Sequence, residues 1–191
     1  MPTTPDPLHS DALSLLLAWD APSADQDALR DEYVDYLHEH PDAVHRRNRS
    51  GHLTASALVV DPTRGAVLLT LHPLVGRWLQ LGGHIEPSDD GLIAAARREA
   101  VEEGGIAEIS IDRAPLRLDR HLVTCRDDAD GRDTLAHLDV QFLAIVDHGA
   151  AEPRMSDESL DLRWWSWEAL PADTDDSVRS LVAAARRRLD P

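Results

Sequence analysis

Positive charge, cysteine and long apolar runs are all scarce in this sequence of 191 residues. Its 19 basic residues, all of them arginine, are outnumbered by 35 acidic residues, and the formal net charge is −16. This balance argues against a general nucleic-acid binder or an anionic-membrane binder, because both need a basic face. It is compatible with a phosphorylated small molecule as substrate, because a metal ion can supply positive charge locally.

The single cysteine, Cys125, excludes an internal disulfide and fits a reducing compartment. No apolar run approaches the length of a membrane span, and the N-terminus lacks the pattern of a secretion signal. We therefore expect a cytoplasmic protein without membrane or nucleic-acid partners. The length fits one domain with an appendage and is enough for a substantial core.

One stretch combines glycines with a cluster of carboxylates. It begins at residues 82–86 (GGHIE) and resumes at residues 98–106 (REAVEEGGI). We interpret the first part as a strand end followed by a glycine turn. The alanine-rich segment 92–103 then predicts a helix, which Gly104 and Gly105 would end.

The predicted helix carries three glutamates at i, i+3 and i+4. Glu99, Glu102 and Glu103 should therefore project from one face, where their like charges repel each other. A bound cation would explain why they are kept together, and oxygen ligands alone favour a hard ion, Mg²⁺ or Mn²⁺. The side chains expected to pack inward lie opposite them: Ile93, Ala94, Ala100 and Val101.

The same stretch resembles the Nudix (MutT-like) box, G-x5-E-x7-R-E-U-x-E-E-x-G-U, where U is a bulky aliphatic residue. The first half departs from this pattern. Counting from Gly83 puts Asp89 in place of the first glutamate, whereas counting back from Arg98 puts Asp90 there and His84 in place of the glycine. We interpret this as a one-residue insertion that leaves the choice of aspartate open. The second half matches closely, at Arg98, Glu99, Glu102, Glu103, Gly105 and Ile106.

This resemblance implies a metal-dependent pyrophosphohydrolase that cleaves a nucleoside diphosphate linked to another group, by attack of water at phosphorus. Glu99, Glu102 and Glu103, with the backbone carbonyl of Gly82, would hold Mg²⁺ or Mn²⁺. Arg98 would hold Glu102 in its ligating rotamer. The small-molecule partner would be a nucleotide or a related diphosphate. Dimers are frequent in the family, so a homodimer is one expectation.

The general base and the substrate contacts are left open by the sequence. Glu103 or Glu102 could take the proton from the attacking water, or a glutamate of a later loop could do so. Glu158 is the candidate in that loop, and Glu152 is the reserve. The candidates for phosphate contacts, Arg77 and His84, flank the predicted glycine turn.

Three other interpretations compete with an enzyme of this kind. The first is a nucleotide-sensing module without activity, which is expected to lack one of the metal glutamates. The second is an isoprenoid diphosphate isomerase, which needs a catalytic cysteine, but Cys125 lies beside a predicted hairpin turn. The third is an acidic interaction protein.

Hydrophobic periodicity and turn signals predict an α/β layered domain, and the family implies an α/β/α sandwich with a mixed sheet for residues 51–191. Residues 1–50 would be an N-terminal helical extension that packs on the domain, forms a dimer interface or acts as a lid. The basic segment 45–50 could hold a phosphate or serve as a linker. His137 and Asp139 should share one strand face, in solvent or in the wall of a cleft. Helices are predicted over 11–19 (capped by Ser10), 24–40 and 173–189, and strands over 53–61, 66–71, 77–81, 119–125, 135–146 and 162–166, with a short helical turn at 167–171.

Overall fold

The structure of the protein is a computed structural model that describes residues 6–127, 131–146, 152–156 and 159–190. These residues form four helices and eight strands. In chain order they are α1 (Pro7–Ala18), α2 (Ala24–Glu39), β1 (Gly51–Asp61), β2 (Ala66–Leu71), β3 (Trp78–Leu79), β4 (Leu81–His84), α3 (Leu92–Gly104), β5 (Ile109–Ile111), β6 (Arg117–Asp127), β7 (Gly131–Val146), β8 (Asp161–Ser166) and α4 (Asp176–Leu189).

Strand β1 lies at the centre of a mixed sheet. On one side it pairs in parallel with β7, from Gly51 opposite Ala136 to Val60 opposite Ile145. On its other side it pairs antiparallel with β4 near its start and with β2 near its end. Strand β7 carries β6 and β5 on its far edge, and β2 carries β8. The predicted long hairpin is therefore confirmed, as β6 and β7.

Helices cover both faces of this sheet. Alternate residues of β1 point to opposite sides, as strand geometry requires. Leu53 and Ala55 face a core shared with α1, α2 and α3, whereas Leu58 and Val60 face a second core formed with α4. The predicted α/β/α sandwich is confirmed, and no helix of the described residues is long and apolar enough to cross a membrane.

The first helix begins earlier than predicted. Its N-cap is Asp6, whose side chain accepts a hydrogen bond from the Leu8 amide at 3.0 Å, and Pro7 occupies the first helical position. Proline is favoured there because that amide has no partner inside a helix. Ser10 therefore lies within α1 and is not its cap. The second helix begins at its predicted residue, Ala24.

The glycine pair Gly82-Gly83 forms part of a strand and not the predicted turn. Both residues lie in β4, where Gly82 is opposite Ser56 and Gly83 is opposite Ala55. A Cβ on Gly82 would overlap the Ser56 side chain, so the close approach of the two strands requires glycine here. The segment 77–81 is accordingly divided between β3 and β4, which pair with different neighbours. Residues 167–171 form turns without a helix.

Candidate active site

Helix α3 carries the carboxylates, and it is rotated relative to the predicted orientation. It ends at Gly104, and Gly105 caps it in the left-handed conformation with φ of 65°. Arg97 is exposed, whereas Glu103 lies among the buried residues. Of the residues expected to pack inward, Ala100 is buried, whereas Ala94 is only partly buried. The residues of α3 that are buried are Leu92, Ala95, Ala96, Ala100, Glu103 and Gly104.

Two of the three glutamates face strand β4. An oxygen of Glu103 accepts a hydrogen bond from the Gly82 amide at 2.9 Å. A Cβ on Gly83 would lie 2.7 Å from the Glu99 Oε1 atom, so the missing side chain makes room for this carboxylate. Glu102 differs from both, because 59% of its side chain is exposed against 12% for Glu99. The expectation of one shared face therefore holds only in part.

Arg98 connects three acidic residues around this helix, Asp89, Glu99 and Glu102. Its Nη1 atom donates to Glu99 at 2.9 Å and to Glu102 at 3.1 Å. Its Nε and Nη2 atoms donate to the two oxygens of Asp89, both at 3.0 Å. Nη2 also donates to the His84 carbonyl at 2.9 Å. The guanidinium group thus joins the second half of α3 to the end of β4 and to the loop between β4 and α3.

Of the two aspartates left open by the box pattern, Asp89 pairs with Arg98, whereas Asp90 is exposed. Burial by itself would raise the pKa of the Asp89 carboxyl, but the hydrogen bonds from Arg98 and the Glu86 amide outweigh burial and lower it. The pKa of Arg98 is in turn raised, chiefly by its hydrogen bond to Asp89. Both groups are therefore charged at neutral pH.

The other predicted site residues lie in different surroundings. Arg77 is exposed at the start of the short strands, and Trp78 is buried in the core, as expected for a strand tryptophan. Glu152 is exposed in a segment whose Arg154 amide donates to the Gly104 carbonyl at 3.0 Å, beside the end of α3. Glu158 lies outside the described residues.

A polar network occupies the sheet face opposite α3. Its centre is Asp139 on β7, which is buried and accepts hydrogen bonds from Ser56 at 2.6 Å and Thr54 at 3.0 Å on β1. Gln80 and Gln141 also donate to it, at 3.3 and 3.2 Å. Burial raises the pKa of the Asp139 carboxyl. The predicted solvent position is wrong for Asp139, which belongs to a buried network.

Three histidines meet at the end of this network, and only His84 among them was singled out as a phosphate contact. His52 on β1 is directly opposite His137 on β7, and His84 on β4 is opposite Thr54, two residues further along β1. Their ring centroids are 4.8 to 5.2 Å apart. Sequence reasoning could not find this cluster, because its members come from three strands whose register was unknown.

Burial lowers the pKa of each of these rings, to about 4 for His84 and about 3 for His137. The positive charge of Arg46 acts in the same direction on all three. The rings are therefore uncharged at neutral pH. The basic segment 45–50 lies beside this cluster, because the Asn48 carbonyl is 3.3 Å from the Nδ1 atom of His52.

The side chains around α3 offer the ligand chemistry of a hard divalent cation, but among the described residues the group of three whose ligand atoms lie close together is the histidine cluster and not these glutamates. The possible ligands from Glu99, Glu102 and Glu103 are all oxygens, which is the chemistry that Mg²⁺ and Mn²⁺ prefer. Because Gly83 has no side chain, the Glu99 carboxylate can lie directly against the strand. Carboxylates held in this way, with one arginine positioning two of them, can bind an ion that in turn binds phosphate oxygens.

Comparisons with known proteins agree with this geometry. The family model described as the NUDIX domain matches residues 51–189. No curated protein matches the sequence. An Ap4A hydrolase from C. elegans is 18% identical, with 72% of this chain and 97% of that chain covered and a TM-score of 0.54. The NUDIX domain of Shewanella oneidensis NrtR, solved with ADP ribose, is 22% identical, with 72% and 87% covered and a TM-score of 0.51.

A third solved structure, the dihydroneopterin triphosphate pyrophosphohydrolase of E. coli, is 18% identical, with 68% of this chain and 91% of that chain covered and a TM-score of 0.52. At these identities the three structures support the fold alone. The sandwich with a carboxylate helix packed beside a glycine strand is the architecture of a Nudix-type domain. The family match spans most of the chain, and this protein therefore belongs to the Nudix family. The sequence-based assignment to Nudix hydrolases is confirmed at the level of the family.

Proposed function

We propose that the protein is a Mg²⁺- or Mn²⁺-dependent pyrophosphohydrolase that acts on a nucleoside diphosphate linked to another group or on a related diphosphate. The observation that carries this proposal is the arrangement of Glu99 and Glu103 against β4, with Arg98 joined to Asp89 at their side. An inactive sensor is expected to lack one of the metal glutamates, and here all three are present.

In this proposal Glu99, Glu102 and Glu103, with the backbone of Gly82, hold the metal ion. The ion would neutralise phosphate charge and lower the pKa of water. The protein's own contribution is to fix the carboxylates before the substrate binds. Arg98 restricts the rotamers of Glu99 and Glu102 through its two Nη1 hydrogen bonds.

The proton of the attacking water needs an acceptor near the phosphorus atom. Glu103 is favoured for this role among the described residues, because it is buried and its position is fixed by the Gly82 amide. Glu102 is more exposed, and Glu158 and Glu152 are the alternatives on the later loop. For the phosphate contacts we propose Arg77, with the basic segment 45–50 as a further candidate. The side chain of His84 lies on the sheet face away from α3, so the expected phosphate contact of His84 is not proposed for this site.

The experiment is a hydrolysis screen with Mg²⁺ and with Mn²⁺, in which phosphate or a nucleoside monophosphate is measured as product. The panel should include ADP-ribose, Ap4A and dihydroneopterin triphosphate, which the names of the similar structures suggest, together with sugar nucleotides, oxidised nucleotides and coenzyme A. Glu103→Gln should lower kcat by about 10²–10⁴-fold, because it removes a metal ligand or the base. Glu108→Gln is the matched control, since Glu108 is exposed and follows α3. It should leave kcat unchanged.

Each result of the screen separates two interpretations. If wild type and Glu103→Gln are equally inactive on the whole panel while a nucleotide still binds, the sensing module replaces the enzyme. If the enzyme is active and Glu158→Gln leaves kcat unchanged, the base lies on α3 or elsewhere. A cleavage that needs no divalent cation contradicts the proposed role of the carboxylates.

We also propose that residues 1–50 are an extension to a Nudix hydrolase domain at 51–191. Its support is that α1 and α2 contribute buried side chains to the core beneath α3. A cytoplasmic location is supported by the single cysteine, which suits a reducing compartment. A homodimer stays a prediction.

A further inference from the structure

The cluster of His52, His84 and His137 has a feature that hydrolysis at α3 does not explain. The Nε2 atom of each ring is buried and has no hydrogen-bond partner among the residues that the structure describes. His52 is fully buried, so its ring has no access to bulk water. A buried polar atom without a partner costs about 1–3 kcal/mol. Three such atoms in one place indicate a ligand that would satisfy them together.

The tautomer of His52 is set by its other nitrogen. Nδ1 lies 3.3 Å from the backbone carbonyl of Asn48, and a carbonyl can only accept a hydrogen bond. The proton of the neutral ring is therefore on Nδ1, and the lone pair is on Nε2. A histidine that donates one N–H to a backbone carbonyl and presents the other nitrogen is the usual arrangement of a metal ligand.

The spacing of the three rings suits one metal ion. One ring nitrogen of each histidine lies within 4.8 Å of one ring nitrogen of each of the others. Nitrogens bound to one tetrahedral Zn²⁺ ion, each at about 2.1 Å, are about 3.4 Å apart. The rings would therefore have to move closer by up to about 1.4 Å when an ion binds.

The histidines are separate from the proposed Mg²⁺ site. His84 is opposite Thr54, and so its side chain lies on the sheet face away from α3, whereas Gly83 faces Glu99 on the α3 side. The ligand types also differ. Imidazole nitrogens favour Zn²⁺ and similar transition-metal ions, whereas carboxylate oxygens favour Mg²⁺.

We propose that His52, His84 and His137 bind one divalent transition-metal ion of the Zn²⁺ class through their Nε2 atoms. Three histidines leave a fourth position of a tetrahedral ion free for water or for an oxygen of a bound molecule. This site is independent of the proposed hydrolysis and would exist in an inactive protein as well.

The test uses the full chain without a histidine tag, treated with a chelator and then titrated with Zn²⁺ by calorimetry and with Co²⁺ by visible absorption. Wild type should bind one Zn²⁺ per chain at this site and give the visible band of four- or five-coordinate Co²⁺. His84→Gln and His137→Gln should each lower the Zn²⁺ affinity by about 100-fold or more, because loss of even a supporting partner costs 10–100-fold.

Two matched variants separate this site from other ions. His38→Gln makes the same change on the exposed side of α2 and should retain both Zn²⁺ and the Co²⁺ band. Glu103→Gln alters the carboxylates of α3 and should also retain them. Circular dichroism checks that each variant is folded. The proposal is overturned if wild type binds no Zn²⁺, if both histidine variants keep its affinity, or if only Glu103→Gln loses it.

Discussion

Arg98 shows how much of the candidate site depends on one side chain. It is placed between Asp89, Glu99 and Glu102, and only 19% of its own side chain is exposed. A guanidinium group suits this position because its planar donors can bind a carboxylate through two parallel hydrogen bonds. Lysine could reach one of these oxygens but could not reproduce the paired contact with Asp89.

Replacing Arg98 should therefore destabilise the protein even in the absence of metal. Arg98→Ala leaves the carboxylates of Asp89 and Glu99 largely buried without their cation, and we expect a loss of about 2–3 kcal/mol in the free energy of unfolding. Urea denaturation with a chelator present measures this loss. The control is Arg97→Ala, because Arg97 is the exposed neighbour and its side chain donates to the Ala107 carbonyl at a longer 3.4 Å. Equal midpoints for the two variants would contradict the role assigned to Arg98.

The identity of single box residues was only partly predictable. The pattern from Arg98 onward identified the glutamates, because spacing on a helix follows from its 3.6-residue period. It could not decide between Asp89 and Asp90, because the path of a loop depends on contacts that are not local. In the structure the ion pair with Arg98 singles out Asp89.

Helix α3 has no capping side chain of its own at its start. Its N-cap is Gly91, with φ of 154°. The partner of the first helical amide comes from α1, where the Asp11 carboxylate accepts from the Leu92 N–H at 2.9 Å. A Cβ on Gly91 would overlap that carboxylate. The N-terminal extension thus supplies the cap of the carboxylate helix.

Loss of this cap should be measurable as a stability change. Asp11→Ala removes the acceptor and should cost about 1 kcal/mol, whereas Asp11→Asn keeps a capping oxygen and should recover most of that loss. Thermal or urea unfolding gives both values, with Asp20→Ala as the control at an exposed position after α1. A loss in Asp11→Ala no larger than in Asp20→Ala would show that the extension does not cap α3.

The bounds of the helices and strands were more predictable than the contacts that each of them makes with the rest of the chain. The helix 92–103 follows from its alanine content, and the strand 66–71 follows from its apolar residues after the turn at 62–65. The capping of α3 by a residue 81 positions earlier has no local signal. The same is true of the glycine pair in β4. A pair of glycines in a sequence predicts a turn. Only the strand register shows that this pair lies in β4, with Gly82 against Ser56, and register is a property of the assembled sheet.

At the scale of the whole molecule, the sheet has an apolar face beneath α1, α2 and α3, and an opposite face that is apolar only beneath α4. Away from α4, that second face is polar. It carries Asp139, its hydrogen-bond donors and the histidine cluster. The acidic composition of the chain gave no indication of this polar region. Its members are distant in sequence and meet only because β1 lies between β4 and β7.

The uncharged histidines should make the stability of the metal-free protein depend on pH. The folded pKa values of His84 and His137, about 4 and about 3, are below the unfolded value of about 6.5. The unfolded chain therefore binds more protons as pH falls below 6.5. Stability from these groups is complete above about pH 6.5 and is lost progressively as pH falls, toward about pH 4 for His84 and about pH 3 for His137. At pH 5 the loss is about 1 kcal/mol per histidine, after allowance for their partial exposure.

Comparison of variants isolates this contribution. The double variant His84→Gln/His137→Gln should lose about 2 kcal/mol less than wild type between pH 7 and pH 5, in urea denaturation with a chelator present. His121 has a pKa raised chiefly by its hydrogen bond to Asp119, so it stabilises the fold in the opposite sense, but it is present in both proteins and cancels. His38→Gln, on the exposed side of α2, should reproduce the wild-type slope. Parallel pH profiles for wild type and the double variant would contradict this prediction. They would mean that the two rings are protonated as easily in the folded protein as in the unfolded chain, so that burial beside Arg46 does not lower their pKa.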